Sequence, residues 1–83
     1  MDQIARTTKD LGAVLRRARK AQNLTQEQLA DRAGLWQRTV SNIETSASGA
    51  KLDTIFDLLA ALDLEIRIVP RSKMTPADIE DIF

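Results

Sequence analysis

Residues 24–44 read LTQEQLADRAGLWQRTVSNIE, and the fold turns on this stretch. Thr25 is an N-cap residue type and Gln28 follows three positions later, the spacing of a capping box. Leu29, Ala30 and Ala33 then mark one face of a short helix. Gly34 predicts its stop, because glycine takes the left-handed conformation that ends helices without a Cβ penalty. A second helix is expected from about Trp36 to Glu44, with Val40 and Ile43 on its inner side. Leu35 is placed to plug the corner, and Ala30 is small where the two helices would cross. Arg38, Ser41 and Asn42 then lie opposite the apolar face, with Gln37 at the open N-terminal end. Such side chains suit the base edges of a major groove: Gln bonds adenine at two points, and Arg does the same with guanine.

Eight residues of this stretch, Thr25, Gln26, Leu29, Ala30, Gly34, Val40, Ile43 and Glu44, agree in type and spacing with a known pattern. On them the stretch closely resembles the helix-turn-helix of the phage-repressor-like (Xre/Cro) family. The resemblance implies that Gln26 starts the first motif helix and touches DNA, and that Gln37, Arg38 and Ser41 lie on the recognition helix. It also implies a structural ion pair between Glu44 and an arginine of the preceding helix, here Arg19.

Eighty-three residues make one small domain, with no cysteine to staple it and no histidine to help hold zinc. Dimerisation is the natural source of further burial. No apolar run approaches the roughly 20 residues of a membrane span, and no signal peptide is visible, so a cytoplasmic location is expected. The formal net charge is zero. Its distribution is uneven: residues 1–42 hold eight basic side chains against four acidic, and residues 43–83 hold four against eight. The basic half contains the motif, which points to one end facing DNA and another facing something else.

Residues 1–6 read as a loose arm, with Arg6 and Lys9 in reach of a phosphate. A first helix is expected over Thr8–Ala21, capped by Thr7 with Asp10, and with a core stripe of Leu11, Leu15 and Ala18. Gly12 inside it costs about 1 kcal/mol relative to alanine, so its first turn is expected to fray. Asn23 is the expected stop, and Leu24 returns to the core.

Gln26 stands in the first turn of its helix, where unpaired N–H groups suit a phosphate. Trp36, the only tryptophan, admits two readings: it staples the recognition helix onto the turn, or it makes apolar contact with DNA. Thr45–Ala50 is a loop of small residues in which Thr45, Ser46 and Ser48 have donors for a backbone contact, with Lys51 adding charge. The candidate DNA-binding set is therefore Gln26, Trp36, Gln37, Arg38, Thr39, Ser41, Asn42, Ser46 and Lys51.

A fourth helix follows the stripe Leu52, Ile55, Phe56, Leu59 and Leu62, with Leu58 as an extra apolar residue that is either core or a dimer contact. Leu64–Val69 then alternates with β-branched enrichment, and Pro70 ends the run, which predicts a strand. A lone strand needs a partner for its backbone, and the same strand of a second copy is the simplest one. The expected dimerisation residues are thus Leu58, Leu64, Ile66 and Ile68.

The helix-turn-helix followed by LLAALDLEIRIVPR looks like the HipB-type antitoxins, over about residues 8–71. That resemblance implies a homodimer with a two-stranded intersubunit lid, repression of its own operon from a palindromic operator, and inhibition of a HipA-like kinase toxin. The fold expected is mainly α: four to five helices of the phage-repressor-like type, with one C-terminal strand pairing across the homodimer. Residues 1–71 form the DNA-binding and dimerisation domain, and residues 72–83 a tail.

In the tail, Thr75, Pro76 and Asp78 give a helix-start pattern, and Ile79, Ile82 and Phe83 form an apolar edge that either frays or orders on a partner. No set of His, Cys, Tyr or paired acids suggests an enzyme, a metal or a cofactor. Three functions stay open: a dimeric repressor that is also an antitoxin, a stand-alone repressor, and a protein-interaction module that no longer binds DNA.

Overall fold

A computed structural model describes residues 3–71. Four helices occur among them: α1 (Thr8–Ala21), α2 (Gln26–Ala33), α3 (Gln37–Thr45) and α4 (Leu52–Ala61). The domain is mainly α, as expected. Any fifth helix in the tail, with Ile79, Ile82 and Phe83, lies outside the described residues.

Local chemistry explains where each helix begins and ends. Thr7 caps α1 by accepting from Asp10 N at 3.0 Å, while the Asp10 carboxylate accepts from Arg6 N at 3.1 Å. The α2 capping box is complete: Thr25 Oγ1 accepts from Gln28 N, and Gln28 Oε1 accepts from Thr25 N. Three helices end alike, in a Schellman turn. The left-handed residues are Asn23 (φ 58°), Gly34 (φ 71°) and Asp63 (φ 58°). Each is followed by a leucine whose N–H reaches back to the last turn: Leu24 to Arg19, Leu35 to Ala30 and Leu64 to Leu59.

Asp63 is the least suited of the three, having a Cβ in a left-handed backbone and a negative charge at the negative end of α4. Asp63→Gly should therefore stabilise the domain by about 0.5–1 kcal/mol. Asp63→Val should destabilise it. Chemical denaturation of the two variants checks both signs.

The core joins Leu15, Leu24, Leu29, Ala30, Val40, Ile43, Ala47, Ile55, Leu58, Leu59 and Leu62. Two expectations for α4 are corrected by it. Leu58 is 1% exposed and belongs to the core of its own protomer, so it makes no dimer contact. Leu52 and Phe56, expected inside, are instead 65% and 48% exposed. The sequence offers two overlapping stripes on α4, and the packed one is Ile55, Leu58, Leu59 and Leu62. It wins because α2 lies on that side of α4.

Gly12 does not loosen α1. It is buried where α1 crosses α3, and a Cβ there would collide with the Ile43 carbonyl oxygen and press on Glu44 O at 3.1 Å. Ala47 N donates to Thr8 O at 2.9 Å, which fastens the loop after α3 to the same end of α1. At the other end, Gln22 Nε2 donates to Leu62 O at 2.7 Å.

The expected strand is one that forms only against a second copy. Residues 64–70 run on from α4 without forming a strand among the described residues. Residues 67–71 line a groove together with residues 3–6 of the N-terminal arm.

Candidate nucleic-acid interface

The centre of the motif is a buried ion pair. Arg19 Nε meets Glu44 Oε2 at 2.7 Å, and Arg19 Nη2 donates to Glu44 Oε1 at 3.0 Å. This two-point pairing is the strong form of an arginine–carboxylate contact. Arg19 Nη1 also donates to Leu24 O at 2.7 Å, so the guanidinium holds the α1–α2 corner as well. Both side chains are buried, and no buried side-chain polar atom among the described residues lacks a partner.

The same carboxylate reaches a third helix. Gln26 Nε2, in the first turn of α2, donates to Glu44 Oε1 at 3.1 Å. Sequence reasoning placed Gln26 at a DNA phosphate. The structure places it half-buried and bonded inward, a link that no spacing rule exposes. An amide nitrogen carries two hydrogens, so one donor of Gln26 remains for a phosphate.

α3 is held by its inner residues Val40, Ile43 and Glu44. Its outward side carries Gln37, Arg38 and Asn42, all exposed as expected. Ser41 is half-buried at the edge of this side, and Thr39 is half-buried on the opposite flank. Thr45, expected in the loop, is instead the last residue of α3, two turns beyond Arg38 and one beyond Ser41. Its hydroxyl donates to Ser41 O at 3.2 Å.

Trp36 occupies the N-cap position of α3 and is 82% exposed. Of its two readings, the staple is excluded, because a stapling indole would be covered by the turn.

A cleft of about 250 Å³ runs beside α3, lined by Thr39, Asn42, Ser46, Ser48, Lys51 and Thr54. It brings together the α3 flank, the 46–51 loop and the first turn of α4. Ser46 is spent within the protein: it accepts from Ser48 N at 3.2 Å and contacts the Thr8 hydroxyl at 3.4 Å. That leaves Lys51, which is exposed just before α4, as the charged group on the rim. Thr54 went unnoticed in the sequence, since its place is set only by the packing of α4.

Comparison with known proteins agrees with this geometry. A family model described as helix-turn-helix matches residues 15–69, which include all of α2 and α3. The chain belongs to this helix-turn-helix family.

Within the family, the chain is 39% identical over 74 residues to an uncharacterized HTH-type transcriptional regulator, y4dL, of Sinorhizobium fredii. That match covers 89% of this chain and 37% of y4dL, so the chain spans little more than a third of that relative's length. It is 29% identical over 70 residues to Antitoxin HipB of Escherichia coli (strain K12), covering 84% of this chain and 80% of HipB. Among solved structures, it is similar to a chain of a HipA-HipB-O2-O3 complex, with a TM-score of 0.79 and 27% identity. That likeness covers 86% of this chain and all of the other. No helix among the described residues is long and apolar enough to cross a membrane.

Proposed function

We propose that this chain is a sequence-specific DNA-binding repressor that acts as a homodimer and as the antitoxin of a HipA-like kinase toxin. The observation that carries the DNA-binding reading is α3 itself. Its inner face is locked by the Arg19–Glu44 pair, and its outer face presents Gln37, Arg38 and Asn42 to solvent with no acid among them. In this reading each subunit lays α3 into a major groove, and the dimer spaces two such helices about one duplex turn apart, roughly 34 Å. Gln37, Arg38, Asn42 and Ser41 read base edges, and Trp36 makes apolar contact at the groove wall. Gln26, Thr39 and Lys51 serve the backbone. The operator is then a near-palindrome, and occupancy of a promoter gives repression.

The homodimer reading is supported by apolar residues that keep exposed surface among the described residues. Leu64 and Ile66 are partly exposed, and Ile68 is 96% exposed. In this reading residues 64–69 pair with the same residues of a second copy, and the tail, residues 72–83, holds the toxin. The antitoxin role draws on the likeness to HipB, which is solved in a complex with HipA. The likeness to y4dL, which carries the name of a regulator, favours a second reading: a repressor without a toxin.

The test is titration of the purified protein against DNA from immediately upstream of its own gene, beside a scrambled duplex, across a salt series. Site-selective binding at two chains per duplex supports the proposal. Equal affinity for both duplexes, or none at low salt, overturns it and leaves a protein-interaction module. Co-purification with the product of a neighbouring kinase-like gene separates the antitoxin from the stand-alone repressor.

Arg38→Ala should cost about 1–3 kcal/mol of affinity for the true site and little for random DNA. Equal losses on both would make Arg38 a phosphate contact.

A further inference from the structure

We propose that residues 64–68 pair with a second copy in one particular register, with Ile66 on the two-fold axis and Glu65 facing the partner subunit's Arg67. This deepens the homodimer reading above and rests on it.

The strand that is available is short. Asp63 has a left-handed backbone (φ 58°), so no strand extends before Leu64. Pro70 has no N–H to donate, so none extends past Val69. Between them, Glu65, Ile66, Ile68 and Val69 make no backbone–backbone hydrogen bond to any described residue. Unpaired backbone groups of this kind are a template for another chain.

The faces of this segment differ. Leu64, Ile66 and Ile68 alternate with Glu65 and Arg67. Ile66 and Arg67 both line a groove with Leu11 and Val14 of α1, while Ile68 is 96% exposed.

Antiparallel pairing about a two-fold axis places residues symmetrically around its centre, and directly opposed side chains share one face. A centre between two residues therefore sets an apolar residue against a charged one, on opposite faces, and fails. Three centres on a residue remain within reach. Centring on Glu65 opposes it to the partner's Glu65. Centring on Arg67 opposes it to the partner's Arg67. Like charges directly opposed are unfavourable. Centring on Ile66 opposes Ile66 to itself, Leu64 to the partner's Ile68, and Glu65 to the partner's Arg67. That register alone keeps the apolar face continuous and makes two reciprocal ion pairs.

The test uses the full chain and the dissociation constant of its dimer, measured by sedimentation. Glu65→Arg and Arg67→Glu should each weaken the dimer roughly tenfold, since each turns two attractive oppositions into two repulsive ones. The double exchange should return it to within about threefold of the wild type. Losses that add in the double variant would overturn the register. So would an effect of Glu65→Arg with none of Arg67→Glu, or the reverse.

A second readout needs no charge. The chain contains no cysteine, so a single introduced thiol reports on its own symmetry mate. Opposed strand residues lie within disulfide reach, about 4.5–5.5 Å between Cα atoms. Oxidation of Ile66→Cys should give covalent dimers, while Leu64→Cys and Ile68→Cys should not. Cross-linking only at Leu64→Cys or Ile68→Cys would overturn the register. A wild-type chain that stays monomeric at every concentration would instead remove the dimer, and the register with it.

Discussion

Arg19→Ala is expected to lower the stability of the domain by about 3–5 kcal/mol, the usual cost of stranding one member of a buried ion pair. The Glu44 carboxylate would be left in a buried site with only Gln26 as a donor. The loss is not confined to the pair, because Arg19 Nη1 also satisfies Leu24 O at the α1–α2 corner. For a domain of this size such a change lowers the Tm by more than about 10 °C. The comparison must be made at fixed protein concentration, because a dimer's Tm rises with it.

A second arm separates the pair from its charges. Replacing Arg19 and Glu44 together with apolar residues of similar volume should recover much of the loss, as it does where well-packed apolar groups replace a buried pair. A Tm unchanged by Arg19→Ala would show that the pair contributes little, however good its geometry.

Gly12→Ala is the second large effect, and here two simple arguments disagree in sign. Helix propensity alone says that alanine should stabilise α1 by about 1 kcal/mol. The packing says the opposite. The new methyl would meet the backbone of α3: the Ile43 carbonyl oxygen inside contact distance, Glu44 O at 3.1 Å and Glu44 C at 3.2 Å. Backbone atoms in the middle of a helix have no rotamer by which to step aside, so α1 and α3 must separate. Overpacking of this kind costs about 1–3 kcal/mol and sometimes more.

The separation would also pull at the Arg19–Glu44 pair, which bridges the same two helices, so the steric term wins. A net loss of about 2 kcal/mol is expected, read from urea denaturation of the two proteins. A variant more stable than the wild type would show that α1 and α3 can part at little cost.

Gly12 also shows where sequence reading stops. Its neighbours in the chain explain only a weak spot in a helix. Its reason is a carbonyl more than thirty residues away. The helix boundaries, by contrast, were legible because their causes are local: Thr7 with Asp10, Thr25 with Gln28, and Gly34 after the last apolar position. The outward set Gln37, Arg38 and Asn42 was legible for the same reason, since one helical period sorts it from Val40 and Ile43.

The Arg19–Glu44 pair came from the resemblance, and no periodicity would have found it. On α4 the period was right and the phase was wrong. Leu52 and Phe56 continue the stripe as well as Leu58 does, and only the position of α2 chooses between them. Gln26 was placed in the correct turn, but its bond to Glu44 belongs to the tertiary structure. For Leu64–Val69 the alternation was legible, but the described residues of the single chain form no strand there.

Glu44 has one carboxylate, and two other helices bond to it. It ties together α1 through Arg19, α2 through Gln26 and its own helix α3. None of these bonds uses Gln37, Arg38 or Asn42. In the proposed DNA-binding mode the base-reading side chains and their mounting are thus chemically separate. Exchanging those three side chains should retarget the domain to another site while leaving its stability almost untouched, as surface changes away from packed features usually do. A scaffold arranged in this way lets a lineage diversify its operators without refolding its protein.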